Sequence, residues 1–339
     1  MFEKISNDGI KYTFPETIGQ YKLIHNVSQG ATGEVYLAKH IHIHQYVALK
    51  IVIRKDLDND CGFIHFEHET RIHKYLNHQN IVLMKEVLYF QDYIVMVLEY
   101  CENGDLFNVI VGKCIRSTNK LLSMMYQMID GLNYLHNKNI VHRDLKPDNI
   151  FLDKDFNIKI GDFGCSEECD GSRTNYDLCG TLFYTAPEIL LNSWSDLKKY
   201  DIWSLGIVFY TMMTGKLPWN PGNLEDIKIQ IINWDNSTIV ELNDLFAIVR
   251  LCLSPDPLNR PTSGQLLEME IFSVERRLHQ SKNNLSISSK NVTRSTLSQS
   301  NLSVSSYNIF KPSARKRRRS CQISLPQISV TNSFLSDAS

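Results

Sequence analysis

The sequence predicts an α+β fold of two lobes, the first built mainly of strands and the second of helices, with a ligand cleft at their joint. Three observations carry this. Residues 21–53 run as short alternating or β-branched segments punctuated by glycine, which is the period of a half-buried antiparallel sheet. Beyond Gly104 the apolar residues recur at helical spacing instead. The change of period falls near 99–104, so the lobes meet there, and clefts between lobes are where small ligands bind.

The elements follow in order. Glu34 to Ala38 and Tyr46 to Ile53 read as strands. Residues 62–77 place Ile64, Ile72, Tyr75 and Leu76 among charges, which predicts a helix, and Ile81 to Tyr89 and Tyr93 to Leu98 return to strand. The first lobe thus expects one helix among about five strands. In the second lobe Leu121 to His136 is strongly periodic, Tyr200 to Met213 is apolar nearly all round, and Val240 to Leu253 is amphipathic. No internal repeat is visible.

The net charge of −1 hides two opposed regions. Residues 281–339 carry nine Lys and Arg against the single acid Asp337, net +8, so residues 1–280 carry net −9. This final stretch also holds 17 Ser, no Gly and only three aromatics, too little apolar surface to offset ~1 to 2 kcal/mol of backbone entropy per residue. It is expected to be a disordered, Ser-rich basic tail, with residues 1–20 an N-terminal extension. The first residues lack the apolar stretch of a signal peptide, and no 18 apolar residues run together, so secretion and a membrane partner are not expected. Eight cysteines without a C-x-x-C pair suggest free thiols in a reducing compartment, nucleus or cytoplasm, and Cys165 and Cys169 are read as ordinary thiols. His40, His42 and His44 alternate, but they fall at a hairpin without a second ligand cluster, which argues against a metal site there.

The chemistry is concentrated in short motifs. Ser28-Gln29-Gly30-Ala31-Thr32-Gly33-Glu34-Val35 is a glycine-containing turn whose backbone could approach a polyphosphate closely. Val47-Ala48-Leu49-Lys50 places a lysine on the following strand. Then come Ile140-Val141-His142-Arg143-Asp144-Leu145-Lys146-Pro147-Asp148-Asn149, Asp162-Phe163-Gly164 and Ala186-Pro187-Glu188. In this order and spacing the set resembles the eukaryotic protein kinases, over roughly residues 21–272.

That resemblance implies ATP and Mg²⁺ as cofactors and proteins as substrates. Phosphoryl transfer asks the protein mainly to hold the nucleotide, neutralise charge and aim a hydroxyl. By resemblance Lys50 pairs the phosphates and is held by a helix glutamate, for which spacing favours Glu69 over Glu67. Asp144 orients the acceptor proton, Lys146 steadies the transferring group, and Asn149 and Asp162 hold the metal. The adenine is expected between Val35 and Ala48 above and Phe151 below, against the backbone of Glu99 to Cys101, with Leu98 gating the pocket and Asp105 near the ribose. Asp201 is expected to tie down the catalytic loop, and Arg260 to pair with Glu188.

The departures from the family pattern are informative. Ser28 stands in place of the first loop glycine, and Thr32 in place of a frequent aromatic. Asp177 aligns with a residue that many relatives phosphorylate, so it is expected to approach Arg143 as a built-in charge, with Glu167 replacing a supporting lysine and repelling it. Lys146 with Thr181 favours a Ser or Thr acceptor over Tyr. Asp105 and Asp148 weakly suggest recognition of an arginine before the acceptor. In the tail, residues 315–319 read as a signal for a nuclear import receptor, and nucleic acid is disfavoured because no aromatics interleave to stack on bases.

Overall fold

Glycine turns and β-branched runs fold the first lobe into one antiparallel sheet, as the computed structural model shows for the residues it describes: 2–5, 11–30, 33–57, 60–115, 117–169, 179–193, 196–239, 243–279 and 281. β1 (Phe2–Ile5) pairs with β2 (Lys11–Phe14). The main sheet comprises β3 (Thr17–Ile18), β4 (Tyr21–Gly30), β5 (Gly33–His40), β6 (Tyr46–Ile53), β7 (Met84–Tyr89) and β8 (Tyr93–Glu99), in the order β3-β4-β5-β6-β8-β7. One helix, α1 (Asp60–His73), accompanies it. The sheet has one strand more than the sequence suggests, because part of the expected N-terminal extension belongs to it. Phe14 and Ile18 are buried in its core, and the Phe14 ring meets Tyr36 and Tyr93 edge-on at 6.3 and 5.1 Å.

Register assigns the two faces. Tyr36 pairs with Leu49 and Leu49 with Val97, all buried on the face that Phe14 covers. The alternate residues face the other way: Val35 opposite Lys50 and Met96, and Leu37 opposite Ala48 and Leu98. At one end of that second face Val52, Ile94 and Met96 pack with Phe66 of α1. Val35, Ala48 and Leu98 stay half-buried.

The second lobe contains α2 (Leu106–Val111), α3 (Thr118–Asn137), α4 (Pro187–Leu190), α5 (Leu197–Thr214), α6 (Leu224–Ile232), α7 (Asp244–Cys252) and α8 (Ser263–Leu267), with a further helical run over 273–279. Short strands β9 (Ile140–Val141), β10 (Ile150–Leu152), β11 (Ile158–Ile160) and β12 (Glu167–Glu168) pair as β9 with β12 and β10 with β11. α5 is apolar around its circumference because it is the central helix, burying Trp203, Leu205 and Phe209 completely. Asp196 caps its start, accepting from Lys198 N at 2.9 Å, and Gly215 at φ +71° ends it in the left-handed region. The amphipathic reading of 240–253 shortens to α7, whose N-cap is Asn243.

The joint is also local chemistry. Gly104 turns at φ +68°, and its carbonyl accepts from Leu152 N at 2.8 Å while Asn103 N donates to Leu152 O at 3.1 Å. These bonds bring β10 under the end of β8. His40, His42 and His44 form a turn: His40 Nδ1 accepts from His42 N at 3.2 Å. Among the described residues no helix is long and apolar enough to cross a membrane. Ala31 and Thr32, the segment 170–178 with Asp177, and the stretch 282–339 with its basic run lie outside the described residues.

Candidate active site at the joint between the lobes

The loop from β9 to β10 is fixed from beneath by a buried carboxylate. Asp201 Oδ2 accepts from His142 N and Oδ1 from Arg143 N, each at 2.8 Å, and His136 Nε2 lies 3.0 Å from Oδ2. Tyr200 Oη donates to Arg143 O at 3.1 Å. Two consecutive residues of α5 therefore hold the backbone of Arg143 at both its N–H and its carbonyl. Sequence reasoning missed Tyr200 and His136, although Tyr200 directly precedes the aspartate it assists.

Above this platform, Asp144 Oδ2 lies 2.8 Å from Lys146 Nζ and 2.9 Å from Asn149 Nδ2, and Asp144 Oδ1 accepts from Thr181 N at 2.9 Å. Lys146 Nζ also donates to Thr181 Oγ1 at 2.8 Å. Asp144, Lys146, Asn149 and Thr181 thus form one network. It joins the catalytic loop to the segment that precedes Ala186-Pro187-Glu188.

On the first-lobe side, Lys50 Nζ lies 2.8 Å from Glu69 Oε1 and 3.7 Å from Asp162 Oδ1. Burial alone would lower the Lys50 ammonium, but the two carboxylates outweigh it and hold it charged, above its usual range. Burial would likewise raise the Asp162 carboxyl, yet Lys50 and His142 keep it below the ordinary value. Asp162 sits at φ +58°, which turns its side chain to the cleft while Phe163 enters the core. Phe163 packs between His73 at 4.5 Å and His142 at 5.3 Å. His73, one helical turn after Glu69, was not foreseen. Its Nε2 is 2.7 Å from Val82 O, and burial pushes its pKa down to about 4, so the ring is neutral.

The residues expected on the adenine side, Val35, Ala48, Leu98 and Phe151, are apolar and half-buried. Glu99 turns its carboxylate away to Lys159, Oε1 to Nζ 2.8 Å, and its N–H donates to Leu83 O at 2.8 Å. Burial, with Glu99 adding to it, pushes the Cys101 thiol up to about 12, so Cys101 is a neutral apolar neighbour. Asp105 caps α2, with Oδ1 accepting from Asn108 N at 2.8 Å. Ser28 pairs with Val35, and Gln29 and Gly30 pair with Glu34 and Gly33, so β4 and β5 run side by side to the glycine turn. The donor set fits a hard divalent cation: Asp162 offers carboxylate oxygen, and Asn149, whose Nδ2 is engaged by Asp144, offers Oδ1.

One expectation is corrected. Cys165 is not a free thiol: it is bonded to Cys179, with Cα atoms 5.9 Å apart. The pairing of β9 with β12 and the bond from Thr181 N to Asp144 bring the two ends of the segment together, a proximity that 14 residues of separation conceal. Cys169 remains a thiol, pushed up to about 11 by burial. Glu167 Oε2 lies 2.6 Å from Arg143 Nη1, and its expected effect on Asp177 falls outside the described residues. Lower in the lobe Arg260 makes a paired contact with Glu188, at 2.6 and 2.8 Å, and lies 4.8 Å over the Trp203 ring.

This charged network lies within the part of the chain, residues 21–272, that matches the family described as "Protein kinase domain". The chain belongs to the protein kinase family. It is similar to the serine/threonine-protein kinase ppk16 of Schizosaccharomyces pombe, 37% identical over 218 residues, covering 64% of this chain and 32% of that protein. It is also similar to the "Probable cell cycle serine/threonine-protein kinase CDC5 homolog" of Encephalitozoon cuniculi, 36% over 260 residues, 75% and 55%. Sperm motility kinase 1 of Mus musculus is 31% identical over 249 residues, 73% of this chain and 51% of that protein. The chain matches about a third to a little over half the length of these relatives. Family membership implies ATP and a divalent metal.

Proposed function

We propose that this chain transfers the γ-phosphoryl group of ATP to serine and threonine hydroxyls of proteins, with Mg²⁺ as the metal. The observation that carries the reading is Lys146 Nζ standing 2.8 Å from both Asp144 Oδ2 and Thr181 Oγ1. A transferring phosphoryl group needs a cation beside the carboxylate that aims the nucleophile, and Lys146 is that cation.

Each side chain then has a task. Lys50, kept charged by Glu69, binds the phosphates, and Val35, Ala48, Leu98 and Phe151 with the backbone of Glu99 to Cys101 take the base. Asp144 accepts a hydrogen bond from the incoming hydroxyl and aims it in line. Thr181, tied to Lys146, stands beside the acceptor position and favours a short hydroxyl side chain over a longer tyrosine ring. Mg²⁺ held by Asp162 and Asn149 supplies neutralisation of the phosphate oxygens. We further infer that residues 315–319 address the protein to the nucleus through an import receptor, a reading supported by the basic run alone.

The test is phosphorylation of a degenerate peptide array by the purified full chain with Mg²⁺ and ATP. Incorporation at Ser and Thr but not Tyr positions is expected. Incorporation confined to Tyr, or none at all, contradicts the reading.

A further inference from the structure

Arg143 is the residue beside Asp144, and its backbone is strained. Its φ of +66° lies in the left-handed region, which is unfavourable for a non-glycine residue and persists only where the surroundings over-determine it. α5 supplies two anchors, Asp201 on the N–H and Tyr200 on the carbonyl. Gly180, itself at φ +98°, lies against the same carbonyl so closely that a Cβ there would fall 2.5 Å from Arg143 O. The side chain carries a third kind of anchor. The Arg143 guanidinium and the Glu167 carboxylate meet at 2.6 Å, with only 10% and 12% of their side chains exposed.

Glu167 is well placed for this. It lies in β12, and its backbone pairs with Val141, two residues before Arg143. The carboxylate is therefore delivered by a strand that is zipped to the same loop it braces. Asp162 and Phe163 lie only five and four residues upstream of it. β12 thus links the chain that follows Asp162 to the strand leading into the loop that bears Asp144.

We propose that Glu167 is a positioning residue that holds Arg143, and through it Asp144, in the working arrangement, so that transfer does not depend on phosphorylation of the segment 170–178. This rests on the kinase reading above. The physical argument is charge balance. A phosphate carrying about −1.5 to −2 would approach a guanidinium that already has a buried carboxylate at contact distance, and Glu167 would repel it. The bond a phosphate could make with Arg143 is in large part already made by the Glu167 carboxylate.

The test compares phosphatase-treated full-length wild type with Glu167→Gln, Glu167→Asp and Arg143→Ala. Turnover is measured per nucleotide-binding site, so that misfolded protein is not counted, alongside KM for ATP and deuterium uptake of residues 140–146. Treated wild type is expected to keep at least half its untreated turnover. Glu167→Gln is expected to lower kcat about tenfold or more, with KM for ATP within about twofold, and to speed exchange at 140–146, since small misplacements of a catalytic group are costly. Glu167→Asp is expected to recover part of the loss, and adding Arg143→Ala to Glu167→Gln to cost nothing further. The proposal is overturned if treated wild type becomes inert, or if Glu167→Gln keeps kcat per site and exchange within twofold of wild type. Should untreated wild type bind nucleotide and yet phosphorylate no acceptor, the kinase reading fails first; exchange at 140–146 then still decides whether Glu167 orders the loop.

Discussion

Glu69 Oε1 lies 2.8 Å from Lys50 Nζ, while Glu67, two residues earlier on the same helix, points to solvent. Two helical residues differ by about 200° in azimuth, so only one of these carboxylates can meet the sheet. Hydrogen bonds to charged groups contribute about 1.5 to 3 kcal/mol. Glu69→Gln should therefore lower kcat/KM for ATP by roughly ten- to a hundredfold, and Glu67→Gln should leave it within about twofold. Steady-state kinetics with varied ATP check this; equal effects at the two positions would contradict it.

The pair of Arg260 and Glu188 is buried, with side chains 0% and 4% exposed. Truncating one partner strands the other charge in the core. Arg260→Ala should cost about 3 to 5 kcal/mol, lost also from its packing on Trp203, and Glu188→Gln should cost less because it leaves hydrogen-bonding capacity in place. Urea unfolding reads both, and an unchanged midpoint for Arg260→Ala would exclude a structural role for the pair.

His73 gives a pH dependence whose sign is fixed. Its pKa falls on folding from 6.5 to about 4 because burial disfavours the charged ring, with Lys50 and His142 adding to the fall and the Val82 carbonyl and Asp162 opposing it. Between those values the unfolded chain binds a proton that the native state refuses. Stability is present above about pH 6.5 and is lost as pH falls toward 4, by up to roughly 3 kcal/mol. Wild type should lose more stability across this window than His73→Gln by about that amount. Parallel stability curves for the two proteins would refute it.

The bridge between Cys165 and Cys179 closes a loop with a sequence separation of 14. In the chain-entropy account a loop of this size is worth about 3 kcal/mol against the unfolded state. Peptide mapping without reductant should yield one cross-linked species containing both cysteines, and reduction should lower the unfolding midpoint. Recovery of both as free thiols would restore the reading that the spacing alone suggested.

What was legible in the sequence was whatever local period and motif spacing encode. α5 was visible because its apolar residues surround it, and Lys50, Glu69, Asp144, Asn149 and Asp162 because they recur in motifs whose spacing the chemistry demands. The structure places Lys50, Glu69 and Asp162 together and Asp144, Lys146 and Asn149 together. Contacts set by tertiary approach were hidden. Phe14 and Ile18 are single apolar residues in a polar stretch, and only their packing in the sheet core, Phe14 from β2 and Ile18 from β3, accounts for their burial. The contact of Glu167 with Arg143 was hidden for the same reason, since it depends on the pairing of β12 with β9. Tyr200 donates to a main-chain carbonyl, a role that no side-chain motif announces.

The most direct test of the whole account is the initial rate of peptide phosphorylation with Mg²⁺ and ATP, measured for wild type beside Asp162→Asn. Asp162 carries a carboxylate that Lys50 and His142 hold ionised at the mouth of the cleft, and the substitution removes its charge while preserving its shape. Electrostatic groups that act on a transferring centre contribute ~3 to 4 kcal/mol, so the rate should fall at least a hundredfold while the unfolding midpoint stays near that of wild type. Near-normal turnover by a folded Asp162→Asn protein would contradict the assignment of this cleft as a phosphoryl-transfer site.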